Sequence, residues 1–320
     1  MTRTLIGLLP FVMAVVPAMG QEHQHAAGPT DRRMEMQHNP QFLVAGGWVA
    51  SRLDSASLVV LHVGRSDSAY FAGHVPGARF LPLSAVATTV GGIPNQFPTA
   101  DQMAATFRDL GVGESAKIVI YGDDPGLFAA RAWVALDLLG HGGRAALLDG
   151  GLVRWRAAGR PAETGARSAA AQPFIARWRG DLVVDAEWVR AHLGDTTVVL
   201  VDARPADQFS GAEAPGPAAI PEGRRGHIPG AKSMPWMNAL ASREDPALKP
   251  MHALHHELWE PAGADRARTV VTYCRTGMQA SHSYFVARYI GYPDVRLYDG
   301  SFIEWSALGA RDHPVENGGR

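Results

Sequence analysis

Thr269-Val-Val-Thr-Tyr-Cys-Arg-Thr-Gly-Met-Gln-Ala-Ser-His-Ser283 holds the chain's single cysteine, Cys274. The run Thr269–Tyr273 is short, β-branched and aromatic, as a buried strand should be. From Gln279 onward, Ala280, Tyr284, Phe285, Ala287 and Ile290 fall at helical spacing, and Gly291 supplies a stop. Cys274 therefore stands where a strand ends and a helix begins, and Gly277 lets the backbone between them curl tightly. A curl of this kind points successive N–H groups at one spot, and the helix N-terminus adds positive potential there. Arg275 adds a full charge next door. Together these features predict a depressed thiol pKa and a thiolate at neutral pH. A lone cysteine is most often a small buried hydrophobe. Here its position, the adjacent Arg and the Gly-containing loop predict a catalytic nucleophile instead.

Working outward, two halves of the chain align. Leu58-Val-Val-Leu-His-Val-Gly-Arg65 matches Val198-Val-Leu-Val-Asp-Ala-Arg204, and Gly73-His-Val-Pro-Gly-Ala78 matches Gly226-His-Ile-Pro-Gly-Ala231. Lys117–Tyr121 matches Thr269–Tyr273, each followed by a loop and an expected amphipathic helix. Leu148-Asp-Gly-Gly151 with Trp155 matches Tyr298-Asp-Gly-Ser301 with Trp305. The strands are short apolar runs without strict alternation, the pattern of parallel sheets covered by helices on both faces, so each half reads as an α/β domain. The boundary falls near Gly159–Gln172, rich in Ala, Gly, Pro and Ser. The halves diverge where chemistry would sit. After Tyr121 the first half reads Gly122-Asp-Asp-Pro-Gly126, with no cysteine and two carboxylates that repel an anion. It also has Val63 where the second half has Asp202. The second half alone carries a longer segment, Ser210–Arg225, expected as a loop that reaches over the site. One working site on a duplicated fold is the inference.

The 320 residues suggest about two domains, and a formal net charge of −1 gives no basic excess to argue for nucleic acid. The N-terminus, with Arg3, an apolar run from Leu5 to Val16 and small residues at Ala18 and Gly20, reads as a cleavable secretory signal. The run is too short for a comfortable membrane span, and no cysteine follows it to carry a lipid. The expected organisation is a signal over 1–20, a flexible linker over 21–39, an inactive domain over 40–160, a linker over 161–178 and a catalytic domain over 179–316. The expected location is periplasmic or secreted, with no stable membrane association after cleavage. With one thiol, the exported chain has no internal disulfide to form, which suits a nucleophile better than a scaffold.

Across both halves, about residues 40–316, the chain resembles the rhodanese (thiosulfate sulfurtransferase) family in its tandem two-domain form. The residues that carry the resemblance are Val201-Asp-Ala-Arg204 with Phe209-Ser-Gly211, Gly226–Ala231, Cys274-Arg-Thr-Gly-Met-Gln279, and Tyr298-Asp-Gly-Ser301 with Trp305. It implies an α/β fold of two tandem rhodanese-like domains, each a mainly parallel sheet flanked by helices, with the C-terminal one active. It also implies that Cys274 takes a sulfane sulfur as a persulfide and passes it to a thiophilic acceptor such as cyanide or a thiol. The loop Arg275, Thr276, Gly277, Met278 and Gln279 would bind the donor, its N–H groups stabilising the persulfide and Arg275 the incoming dianion. Arg204 would either reach the site or brace it through Asp202, and the brace is the favoured reading. Trp236, after the Gly-His turn, is expected near the site. A Cys-Arg-x-Gly start looks like the thiosulfate type, and Cys-Gly-x-Gly goes with 3-mercaptopyruvate. Two positions depart from the family: Thr276 stands where some thiosulfate enzymes carry Lys, and Gln208 where related enzymes carry Arg or an acid. Arg224 and Arg225 could compensate. The partners implied are a small sulfur donor and acceptor, or a protein acceptor, and no cofactor is required.

Other readings are weaker. A cysteine phosphatase needs Cys-x5-Arg, and Ala280 stands where its Arg would be. A cysteine protease needs a His in reach; His227 and His282 read as structural, His227 capping or bonding its own turn. A non-turnover sulfur carrier would use the same residues as the enzyme. His23, His25, His38, Met34 and Met36 are irregularly spaced and read as solvated linker rather than a soft-metal site. His252 and His256 lie at i, i+4 on an expected helix, but the flanking residues do not make His-Glu-x-x-His, so a solvated face is expected and no metal site. Trp48, Trp155, Trp188 and Trp305 recur in equivalent positions and are expected in the core.

Overall fold

The computed structural model describes residues 38–212 and 224–318. The expected signal, nearly all of the expected linker with His23, His25, Met34 and Met36, and most of the Ser210–Arg225 insertion lie outside the described residues.

In the first half, β1 (Leu43–Val44), β2 (Leu58–Gly64), β3 (Arg79–Pro82), β6 (Lys117–Gly122) and β7 (Ala145–Leu148) form one sheet in the order β1-β7-β6-β2-β3, every pair parallel. β4 (Thr88–Val90) and β5 (Ile93–Gln96) form a separate antiparallel hairpin, with Asn95 in the left-handed region at φ +62°. In the second half, β8 (Val183–Val184), β9 (Val198–Asp202), β10 (Lys232–Ser233), β11 (Thr269–Tyr273) and β12 (Val295–Tyr298) form a parallel sheet in the order β10-β9-β11-β12-β8. Read from its other edge this is the order of the first sheet, so the sequence repeat is a repeat of topology. The central strands β2, β6, β9 and β11 are buried almost throughout, which is why they show runs of Val, Ile and Leu rather than alternation.

The helices Leu127–Leu138 and Met278–Tyr289 follow the matched strands β6 and β11. They are not amphipathic as expected. Every residue from Ala129 to Leu138 is buried, as are Met278 and Ala280–Ala287. The two helices pack on each other across the halves, so each has a sheet on one side and its counterpart on the other. Trp133 meets Phe285 edge-on with ring centroids 5.1 Å apart, and Tyr284 donates to Asp137 Oδ2 at 2.9 Å.

Of the four repeated tryptophans, Trp155 and Trp305 are in the core, while Trp48 and Trp188 are half-buried with Arg52 and Arg296 over their rings. Each packs at the margin of the cluster that its buried counterpart fills. His74 and His227 also behave as a pair. Each stacks on an aromatic of the preceding helix, Tyr70 or Phe209, and bonds that residue's carbonyl through Nδ1. His227 thus ties its turn to the last turn of the preceding helix, the capping role rather than a bond within the turn. Gly226 is at φ +113°, and a Cβ there would sit 1.9 Å from the Glu316 carbonyl, so only glycine fits.

Candidate active site

β11 is the middle strand of its sheet, paired with β9 and β12, and it delivers Cys274 to the carboxyl end of the sheet, where ligands of open parallel sheets bind. The Cys274 N–H donates to Ser301 Oγ at 3.2 Å, and its carbonyl accepts from Phe302 N at 3.0 Å. Ser301 itself is held in the left-handed region at φ +56° and donates to the Tyr298 carbonyl. The chain next makes the tight curl. Gly277 has φ +86°, and a Cβ there would lie 2.5 Å from Asp299 Oδ1. Both conformation and space therefore demand glycine. The 12-residue helix begins at Met278.

The Cys274 sulfur sits inside this curl and is only 1% exposed. Burial is the largest influence on the thiol and pushes its pKa up; the N–H groups of Ala280, Thr276 and Gln279 draw it down, and the Asp202 charge raises it. The net direction is upward, opposite to the sequence expectation, because desolvation of the thiolate outweighs the amides that converge on it. The thiol is mostly protonated at neutral pH, so its alkylation by neutral iodoacetamide should still be climbing with pH at about 8.5, the value of a free thiol. A rate already level by pH 7 would contradict the burial argument.

Two guanidiniums stand near one another at this end of the sheet. Arg275 is half-buried, and burial first, then the Arg204 charge, holds its guanidinium below the ordinary value. Arg204 is wholly buried. Its Nε donates to Asp202 Oδ1 at 2.9 Å, its Nη2 to Asp202 Oδ2 at 2.5 Å and to the Gly226 carbonyl at 2.7 Å, and its plane lies over Phe302. Its Nη1 has no hydrogen-bond partner. Arg204 is thus clamped by Asp202 while its charge still acts on Cys274. Arg224, in contrast, closes on the Ser306 and Leu308 carbonyls at 3.0 and 2.6 Å, so it anchors the end of the last helix rather than compensating at the loop. Arg225 is exposed. Trp236 is not part of the loop either. It packs on the flank of the following helix, edge-on to His282 at 5.1 Å, in a core that includes Trp259 and Val286. Burial drops the His282 imidazole to about 4, which leaves it neutral and without the basicity a protease base needs.

The first half supplies parts that the sequence did not reveal. Asn95, at the end of the hairpin, donates to Thr276 Oγ1 at 2.9 Å. Phe97 N donates to Asp299 Oδ2 at 3.0 Å. Arg131, fully buried on the Leu127–Leu138 helix, donates to Asp299 at 2.6 and 3.2 Å, to Ser281 Oγ at 3.2 Å and to the Val86 carbonyl at 3.1 Å, and to the Asn95 carbonyl. Asp299 is the carboxylate that touches Gly277, so Arg131 braces the cysteine loop from the other half. An arginine inside Leu127-Phe-Ala-Ala-Arg-Ala-Trp-Val-Ala-Leu136 is the one signal that could have found it, since a buried charge must be paired.

At the matched place in the first half, Gly122 stands where Cys274 does. Asp124 there turns its carboxylate into the same helix N-terminus, accepting from Leu127 N at 2.8 Å and Phe128 N at 3.0 Å. Burial raises the Asp124 pKa, and the N–H groups of Phe128, Leu127 and Gly126 oppose it. The degenerate half therefore fills its own anion cradle, a stronger bar than the long-range repulsion read from the sequence.

Against known proteins, the Rhodanese-like domain model matches twice, over residues 45–158 and 185–308. A protein of Mycobacterium leprae named putative thiosulfate sulfurtransferase is 33% identical over 275 residues, 83% of this chain and 95% of the relative. One of Pseudomonas aeruginosa named probable 3-mercaptopyruvate sulfurtransferase is 34% identical, over 82% of this chain and 94% of its own. The crystal structure of the 3-mercaptopyruvate sulfotransferase SseA from Escherichia coli superimposes with a TM-score of 0.71 at 26% identity, covering 82% of this chain and 98% of that one. With both halves matched and relatives of this identity aligned over nearly their whole length, the chain belongs to the rhodanese family of sulfurtransferases, in its tandem two-domain form.

Proposed function

We propose that the chain is a thiosulfate sulfurtransferase that works through a persulfide on Cys274. The observation that carries this reading is the convergence of the Thr276, Gln279 and Ala280 N–H groups on a buried sulfur that feels the Arg204 charge, with Arg275 next in the chain and near Arg204. The thiolate attacks the outer sulfur of thiosulfate. A sulfur–sulfur bond forms at Cys274 as the bond to the sulfonate sulfur breaks, and sulfite departs with the electron pair. Cyanide or a thiolate then attacks the outer sulfur of the persulfide, and Cys274 leaves as thiolate. In this scheme the three amides hold the negative charge of thiolate and persulfide in turn, and the two arginines favour a doubly charged donor. Thr276 and Gln279 act through their amides, Gly277 permits the curl, Met278 starts the helix, and Asp202 fixes Arg204.

A second donor, 3-mercaptopyruvate, is favoured by the names of the Pseudomonas relative and of the Escherichia coli structure. Initial rates with each donor and cyanide separate the two. Thiosulfate should be preferred, and Arg275→Gly should lower kcat/KM for thiosulfate by roughly 10–100-fold, as expected when a charge-assisted hydrogen bond worth about 1.5–3 kcal/mol is lost. Preference for mercaptopyruvate in the unaltered chain would overturn the donor assignment. Turnover with neither, but sulfur retained on Cys274, would mean a carrier. The signal-like run over residues 5–16 supports a working location outside the cytoplasm, which a mature protein beginning at Gln21 would establish.

A further inference from the structure

Ahead of Cys274 in the sequence, the segment Met251–Glu260 departs from α-helical geometry. Met251–Ala253 is α-helical, but Leu254–Trp259 is a π-helix. Its i→i+5 hydrogen bonding includes the Glu260 N–H donating to the His255 carbonyl at 2.9 Å. This wider turn changes which side chains share a face. In an α-helix, His252 and His256 would be neighbours and His255 would point elsewhere. In the π-turn, Glu260 lies one turn over His255 and still reaches His256, whose Nδ1 is 2.8 Å from Glu260 Oε2. Ligand atoms of His255, His256 and Glu260 all fall within 4.8 Å of one another. His255 lies on the buried side of this segment. It is 9% exposed, its ring lies near Tyr292 with centroids 6.1 Å apart, and its Nδ1 is buried without a hydrogen-bond partner. A cation at the site would give that imidazole a polar partner.

From this we infer that His255, His256 and Glu260 form a surface site for a zinc-like divalent cation, separate from the sulfur-transfer chemistry. Two imidazoles and one carboxylate are a donor set for borderline divalent metals, and three protein ligands leave a coordination position for water. The π-turn supplies the spacing that a regular helix would deny, a recurrent use of this distortion. Tyr292 and Trp259, with centroids 5.4 Å apart, form an aromatic floor beside the His255 ring.

The test is a zinc titration of the full chain carrying Cys274→Ser, which removes the competing thiolate. His256→Ala and Glu260→Ala are then added separately. Both side chains are about half exposed, at 45% and 58%, so neither change threatens folding. The background should bind zinc, and each substitution should weaken its tightest site by roughly 10–100-fold, the scale of losses seen when a metal site's support is removed. A background that binds no zinc would overturn the inference. So would binding of equal strength in background and variants, which would place the ion elsewhere, for instance on the histidines before residue 39.

Discussion

Serine at position 274 is expected to abolish sulfur transfer while leaving the fold intact. Its hydroxyl is close in size to the thiol and can accept from the same Ala280, Thr276 and Gln279 amides, so the melting temperature should move little. It cannot carry a sulfane sulfur, and no other cysteine can take over. Removing a covalent nucleophile typically costs about 10⁴-fold or more, with the residual rate reflecting binding alone. Measurable turnover in Cys274→Ser within tenfold of the unaltered chain would exclude the cysteine as the reacting atom.

Arg131→Met should be the most damaging substitution outside the cysteine loop. It removes the cation from a buried pair and leaves Asp299 facing only neutral donors, a change that costs about 3–5 kcal/mol. A fall in melting temperature on the order of 5–10 °C should follow. The effect on catalysis is separable. Arg131 also holds Ser281 and the Val86 and Asn95 carbonyls, and Asp299 limits where Gly277 can lie, so the amides that converge on Cys274 lose their brace. A displacement of even ~1 Å at such a site can lower turnover by about 10²-fold. Adding Asp299→Asn removes the stranded charge and should recover part of the stability but not the rate. Unchanged stability and rate in Arg131→Met would mean that the first half plays no part in positioning the loop.

The strand-to-helix junction was legible because local rules act there: β-branched Thr269–Tyr273, a glycine in a tight curl, helical spacing beyond it. The duplication was legible for the same reason, since Gly-His-x-Pro-Gly-Ala keeps its form in both halves. What the sequence did not disclose depends on surroundings. Burial of Cys274 reverses the sign of the thiol shift expected from neighbours alone. Helix–helix packing between the halves hides the faces that an isolated helix would show to water. Arg131 and Asn95 reach the loop from more than 140 residues away, a distance no local pattern spans. The π-turn at Leu254–Trp259 replaces an i, i+4 pair with a different set of neighbours. Asp124, read as a repelling charge, is instead a cap on its own helix.

The most direct measurement is the mass of the chain after incubation with thiosulfate and no acceptor, taken together with the sulfite released. The account predicts one sulfite per chain and one added sulfur atom, located on the peptide containing Cys274 and discharged by cyanide as thiocyanate. Sulfite release without added sulfur on Cys274, or added sulfur that cyanide does not remove, would contradict it.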